Sequence, residues 1–151
     1  MDQTLGRLAG WLRAIGYDTV IYKGDIDRNF LKAAYSDGRV AITRKQDMSR
    51  RNFLGGKVVL KSERIREQIH ELAGKIPLEP DREKMFTICL RCNAPLEKIS
   101  HEQAKGLIPD YVFRTHVAFT RCPECRRIYW PGTHLDRALE FIRTHIQKDR
   151  P

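Results

Sequence analysis

Apolar positions fall into alternating helical and strand-like patterns over the first half of the chain. Leu5, Leu8, Leu12 and Ile15 recur at helical spacing, and Gly16 follows them as a stop. Residues 19–22 form a short β-prone run, Thr-Val-Ile-Tyr. Asp25 or Asp27 is placed to open a second helix whose inner face is Phe30, Leu31 and Ala34, and Ser36-Asp37-Gly38 ends it. Residues 39–43 and 57–60 read as two further strands. Ile65, Ile69 and Leu72 mark a third helix, opened by Ser62 and closed by Gly74. Helices set between short apolar strands predict βα units on a parallel sheet. Residues 75–84 carry Pro77, Pro80 and several charges without apolar periodicity, and read as a linker. The expected organisation is one unit over residues 1–80 and a second over 81–151. The second ends in a helix with Leu135, Leu139, Ile142 and Ile146 as its buried stripe and Thr133 as its cap.

Charge narrows the classes of partner. The 151 residues hold 28 Lys and Arg against 19 Asp and Glu, a net charge of +9. Residues 1–80 carry 15 basic and 10 acidic side chains, and residues 81–151 carry 13 and 9, so both halves favour a polyanion. Nucleic acid is the leading expectation, although a basic balance also serves solubility alone. No apolar run reaches the length of a membrane helix, and no secretory leader is evident, so no membrane partner and a cytoplasmic location are expected.

The strongest local chemistry lies in four cysteines. Cys89-Leu90-Arg91-Cys92 and Cys122-Pro123-Glu124-Cys125 are two Cys-x-x-Cys turns. Each aims two sulfurs at one point, and together they supply the four thiolates of a structural Zn²⁺ site. Disulfides are the competing reading, and paired turns suit a metal better. Residues 100–106 suit a short helix or loop between the pairs. Phe119, Arg121, Arg126, Arg127, Tyr129 and Trp130 surround the second pair. Aromatic faces stack on unpaired bases and guanidinium groups hold phosphates, so these residues are candidates for single-stranded RNA. The same aromatics are the natural core of so small a module, and Tyr129 or Trp130 is expected to be buried. His134 stands where a last helix begins and serves equally as a phosphate contact or a cap.

A nuclease using Mg²⁺ or Mn²⁺ needs carboxylates converging at the carboxyl ends of parallel strands. Asp2, Asp25, Asp27 and Asp47 are the candidates, with Thr43 and Arg44 at the same edge. Asp18 precedes its strand and is expected at the opposite end. Each candidate also has an ordinary role, as a helix cap or a solvated loop residue.

The stretch Asp2-Gln3-x-Leu5-Gly6-Arg7-Leu8-Ala9-x-Trp11-Leu12-Arg13-x-x-Gly16-Tyr17-Asp18 resembles the opening of the Mut-seven carboxy-terminal RNase family. Arg91-Cys92-Asn93-x-Pro95-Leu96, Pro109-x-Tyr111-Val112 and Phe119-x-Arg121-Cys122-Pro123-x-Cys125-x-Arg127-Ile128-Tyr129-Trp130-x-Gly132-Thr133-His134 resemble the family's ribbon signature. The resemblance implies an α/β fold. It comprises a PIN-like three-layer parallel sheet followed by a small four-cysteine zinc ribbon and a C-terminal helix. It further implies a metal-dependent ribonuclease. Asp2 matches the acidic residue ending the family's first strand, Asp25 and Asp27 fall in its second acidic region, and Thr43-Arg44 matches a Thr-Arg that normally precedes an Asp. The chain departs from the pattern twice. Only Met1 stands where the first, central strand belongs, and Lys45 follows Thr43-Arg44. The missing strand is expected to leave unpaired backbone and a gap in the core between residues 19–22 and 39–43. The competing functional readings are an RNA-binding protein without turnover and a protein-interaction adaptor.

Overall fold

The structure, a computed structural model, describes residues 1–132 together with Glu140 and Thr144. Of the helix expected over residues 133–146 only Glu140 and Thr144 are described, and Thr133, His134 and the expected buried stripe lie outside the described residues.

A short 3-10 turn at Gln3–Leu5 leads into α1 (Gly6–Ala14), and Leu5, Leu8, Leu12 and Ile15 are buried on one face as their spacing requires. Gly16 closes the turn at φ +93°, where a Cβ would stand 2.7 Å from the Lys84 side chain. Asp27 caps α2 (Arg28–Ser36) by accepting from the N–H groups of Asn29 at 2.7 Å and Phe30 at 3.4 Å. The strands are β1 (Ala41–Thr43) and β2 (Lys57–Val59), paired in parallel with Ile42 opposite Val58. The last helix of this half is α3 (Ile65–Ala73). Ser62 does not cap it. The N-cap is Arg64, and the Ser62 N–H is taken instead by the Glu71 carboxylate from the second turn of the helix.

Residues 19–22 are extended but form no strand. Among the described residues their one ladder partner is Met1: the Met1 amino group donates to the Val20 carbonyl at 2.9 Å, and the Tyr22 N–H donates to the Met1 carbonyl at 2.8 Å. On its other side the Asp2 N–H donates to the Ile42 carbonyl at 3.0 Å. Met1 and Asp2 thus stand between residues 20–22 and β1, the central position expected of a first strand. Two residues are too few to extend the ladder further.

Successive residues of β1 and β2 face opposite ways, and both faces are covered. Ile42 and Val58 join Leu8, Leu12, Ile69 and Leu72 of α1 and α3 in one core, and the Met1 side chain is buried there too. Ala41 and Val59 join Phe30, Leu31 and Met48 on the other. The stretch read as a linker does not run free, because Leu78 is buried in the first core and Ile76 packs against it. Its prolines break periodicity without preventing single apolar side chains from packing.

The remaining described residues form an antiparallel sheet of β3 (Glu97–Ile99), β4 (Phe119–Arg121) and β5 (Ile128–Tyr129). Between β3 and β4 lie the short helices α4 (His101–Ala104), opened by a reciprocal Ser100–Gln103 capping box, and α5 (Asp110–Thr115). The protein is therefore mixed α/β, with a small parallel sheet and a four-cysteine cluster.

Candidate active-site cleft and metal centre

The cysteines come together as their spacing predicts. The Sγ atoms of Cys89, Cys92, Cys122 and Cys125 all lie within 4.8 Å of one another, and Cys89 and Cys125 are 3.7 Å apart. Tetrahedral Zn–S bonds of about 2.3 Å place sulfurs about 3.8 Å apart, so this cluster fits a zinc ion. The two turns share one design. The N–H of the second cysteine donates to the first sulfur at 3.4 Å in each. Asn93 (φ 68°) and Arg126 (φ 60°) then take the left-handed conformation and return their N–H to the carbonyls of Cys89 and Cys122 at 3.0 Å. Tyr129 hydroxyl lies 3.2 Å from the Cys89 sulfur. Burial works to raise the Cys89 thiol, but bonds from Tyr129 and the Cys92 and Arg91 backbone bring it to about 6. Cys92 is pushed up to about 12, chiefly by its hydrogen bond with Cys125, with burial and neighbouring thiolates adding to it. A divalent cation removes that mutual penalty, and in this sense the donor set calls for one.

The aromatics around the second pair divide differently from the expectation. Phe119 is buried in the ribbon core, which removes it as a stacking surface. Neither Tyr129 nor Trp130 is fully buried. Both are half-exposed, Tyr129 against the cysteines and Trp130 against the α4–α5 cluster, because a three-stranded sheet this small cannot enclose them. Arg126 and Arg127 are exposed and Arg121 is half-buried.

The acidic candidates separate into two groups. Asp2 and Asp25 line one shallow cleft of about 410 Å³, together with Thr4, Ile26, Arg44 and Lys45. Asp2 is 3 % exposed, and its carboxylate takes four donors. Oδ1 accepts from the Thr4 N–H and hydroxyl, both at 2.6 Å, and Oδ2 accepts from the Thr43 hydroxyl at 2.7 Å and the Arg44 N–H at 3.1 Å. Burial alone raises its pKa, but these bonds outweigh it and hold the carboxyl below its ordinary value. Asp25 is exposed, and among the described residues its carboxylate has no hydrogen-bond partner. Asp27 is committed to capping α2, and Asp47 sits on a 3-10 turn facing Arg51 at 3.5 Å. Neither lines the cleft. Asp18 pairs with Arg39 and Asn93, away from the cleft.

The cleft is also cationic. Arg44 pairs with Glu63 through Nη2, while its Nε is buried without a partner. Lys45 donates through Nζ to the Ile26 carbonyl at 2.9 Å across the cleft. Thr4 was missed in the sequence, although a Thr two residues after an Asp is the spacing of a local side-chain turn. Glu63, Arg13 and Asn93, which hold neighbouring groups in place, carry no such signal.

The family model described as the Mut7-C RNAse domain matches residues 1–142. The chain belongs to the Mut7-C RNAse domain family. Membership gives it a nuclease- and RNA-related role, with RNA as the class of substrate. No curated protein and no solved structure matches the chain. Among the described residues, no helix is long and apolar enough to cross a membrane.

Proposed function

We propose that the protein cleaves RNA phosphodiester bonds at the cleft of Asp2, Asp25, Arg44 and Lys45. The observation that carries this reading is the meeting of two carboxylates and two cations in one solvent-open cleft. Arg44 and Lys45 attract the phosphate. Mg²⁺ needs only one or two protein carboxylates, with water and substrate phosphate completing its shell, and Asp25 and Asp2 fit that requirement. Such an ion supplies a more acidic water and offsets charge on phosphorus. Asp25 is the carboxylate free to contact it directly, while Asp2 must first release a Thr hydroxyl. In this reading residues 1–80 are the PIN-like unit, its sheet covered by helices on both faces. The second unit, residues 81–151, carries the zinc ribbon, and Arg121, Arg126, Arg127, Tyr129 and Trp130 grip the RNA.

A second reading, RNA binding without turnover, is favoured by the four donors on Asp2 and by the Lys45 ammonium at the cleft wall. Incubating labelled single-stranded RNA with the protein and Mg²⁺ or Mn²⁺ separates the two. Cleavage that a chelator abolishes supports the first. Salt-sensitive binding with no turnover in any divalent metal supports the second.

A further inference from the structure

Between the cysteine cluster and the cleft runs a set of contacts that the cleavage chemistry does not use. Arg13 is 5 % exposed on α1, an expensive place for a guanidinium. It is held by carbonyls from both halves of the chain. Nη1 donates to Leu90 at 2.9 Å and Arg91 at 2.8 Å, inside the first Cys-x-x-Cys turn. Nε and Nη2 donate to the Thr19 carbonyl at 2.9 and 2.6 Å. The Thr19 N–H in turn donates to Asn93 Oδ1 at 2.7 Å, and Asn93 Nδ2 donates to Asp18. Both backbone groups of Thr19 are thereby bound by groups that the turn positions. Residues 19–22 belong to no strand, so these bonds stand in for a second neighbour. On their other side Val20 and Tyr22 hold Met1, and the next residue is Asp2.

We infer that the metal-loaded Cys89–Cys92 turn positions the Asp2 carboxylate, with Arg13 and Asn93 as the positioning residues that transmit it through residues 19–22. The inference rests on the reading of Asp2 as part of the reaction centre. The element with two states is the turn itself. With Cys89 and Cys92 joined to Cys122 and Cys125 on one cation, it presents the Leu90 and Arg91 carbonyls and the left-handed Asn93 in fixed places, and without the cation the four crowded thiols have no reason to hold it. Loss of the turn takes the Leu90 and Arg91 acceptors from the buried Arg13 guanidinium and frees the Thr19 N–H from Asn93. The register of Met1 then has only Ile42 to define it.

Amide exchange by NMR tests this without reading turnover, so its failure is distinct from failure of the cleavage reading. Two reporters lie far from the cysteines: the Tyr22 N–H, bonded to Met1, and the Arg44 N–H, bonded to the Asp2 carboxylate. Asn93→Gly keeps the left-handed backbone and removes both side-chain bonds. It is compared with wild type while Co²⁺ thiolate absorption reports that both clusters are loaded. The Tyr22 and Arg44 amides are expected to exchange about fivefold to tenfold faster in Asn93→Gly, as loss of one buried hydrogen bond implies. Removing the metal from wild-type protein is expected to speed the same two amides, while the Leu60 N–H, bonded to the Thr43 carbonyl of β1, keeps its protection. Tyr22 and Arg44 amides that stay protected in loaded Asn93→Gly, or in metal-free wild type, overturn the inference.

Discussion

Thr43→Val isolates the bond that fixes Asp2. The Thr43 side chain is fully buried, and its hydroxyl donates to Asp2 Oδ2 at 2.7 Å while accepting from the Lys45 N–H at 3.1 Å. Valine conserves the shape, so no cavity term enters. What is lost is a hydrogen bond to a buried charge, worth about 1.5–3 kcal/mol. In an Asp2→Asn background the same hydroxyl bonds a neutral amide, worth about 0.5–1.5 kcal/mol. The cycle of the two substitutions is therefore expected to return a coupling of about 1–2 kcal/mol in urea unfolding at neutral pH with zinc present. The sign with pH follows from the depressed Asp2 pKa. Its contribution is complete above the unfolded carboxyl value and is lost as pH falls through the lower folded value, so the Thr43→Val penalty shrinks in acid. A penalty equal in both backgrounds to within about 0.5 kcal/mol refutes the claim that Thr43 acts through the Asp2 charge.

Three further outcomes follow from the geometry. Glu71 accepts from the Lys61 and Ser62 N–H groups and from Lys75, which outweigh burial and bring its carboxyl to about 2. Glu71→Gln is expected to lower stability by about 1–2 kcal/mol at neutral pH, and the difference fades as pH drops from the ordinary carboxyl range towards 2. Atomic emission on purified protein is expected to find zinc in wild type and a substoichiometric amount in Cys92→Ser, because one thiolate of the tetrahedral set is gone. Lys45→Asp exchanges the ammonium at the cleft for a third carboxylate. Calorimetric titration is expected to find Mn²⁺ bound about tenfold more tightly, a shift of about 1.4 kcal/mol, and unchanged affinity would remove the cleft as the cation site.

The zinc cluster was legible because its determinants are local. Two residues between thiols fix where each pair of sulfurs points, whatever surrounds them. The Asp27 cap and the α1 face from Leu5 to Ile15 were legible for the same reason. Asp2 was recognisable as a candidate, but its four donors were not. Thr43 and Arg44 reach it only because Asp2 pairs beside β1, a meeting of residues 41 positions apart. Residues 19–22 have strand chemistry and no strand, since among the described residues Met1 is their one ladder partner and their further support comes from the side chains of Arg13 and Asn93. Arg13 defeats periodicity altogether. It is a charged residue in the buried part of an amphipathic helix, and only the fold reveals the carbonyls that make this tolerable.

Asp25 is the carboxylate in the cleft without a hydrogen-bond partner among the described residues, so the proposed catalysis depends on it. Single-turnover cleavage of end-labelled RNA with Mn²⁺, comparing wild type with Asp25→Asn and with RNA affinity measured on the same preparations, is the direct measurement. A rate loss of about 100-fold or more with affinity little changed is expected, the pattern of a group needed in the transition state. Cleavage by Asp25→Asn at the wild-type rate would contradict it.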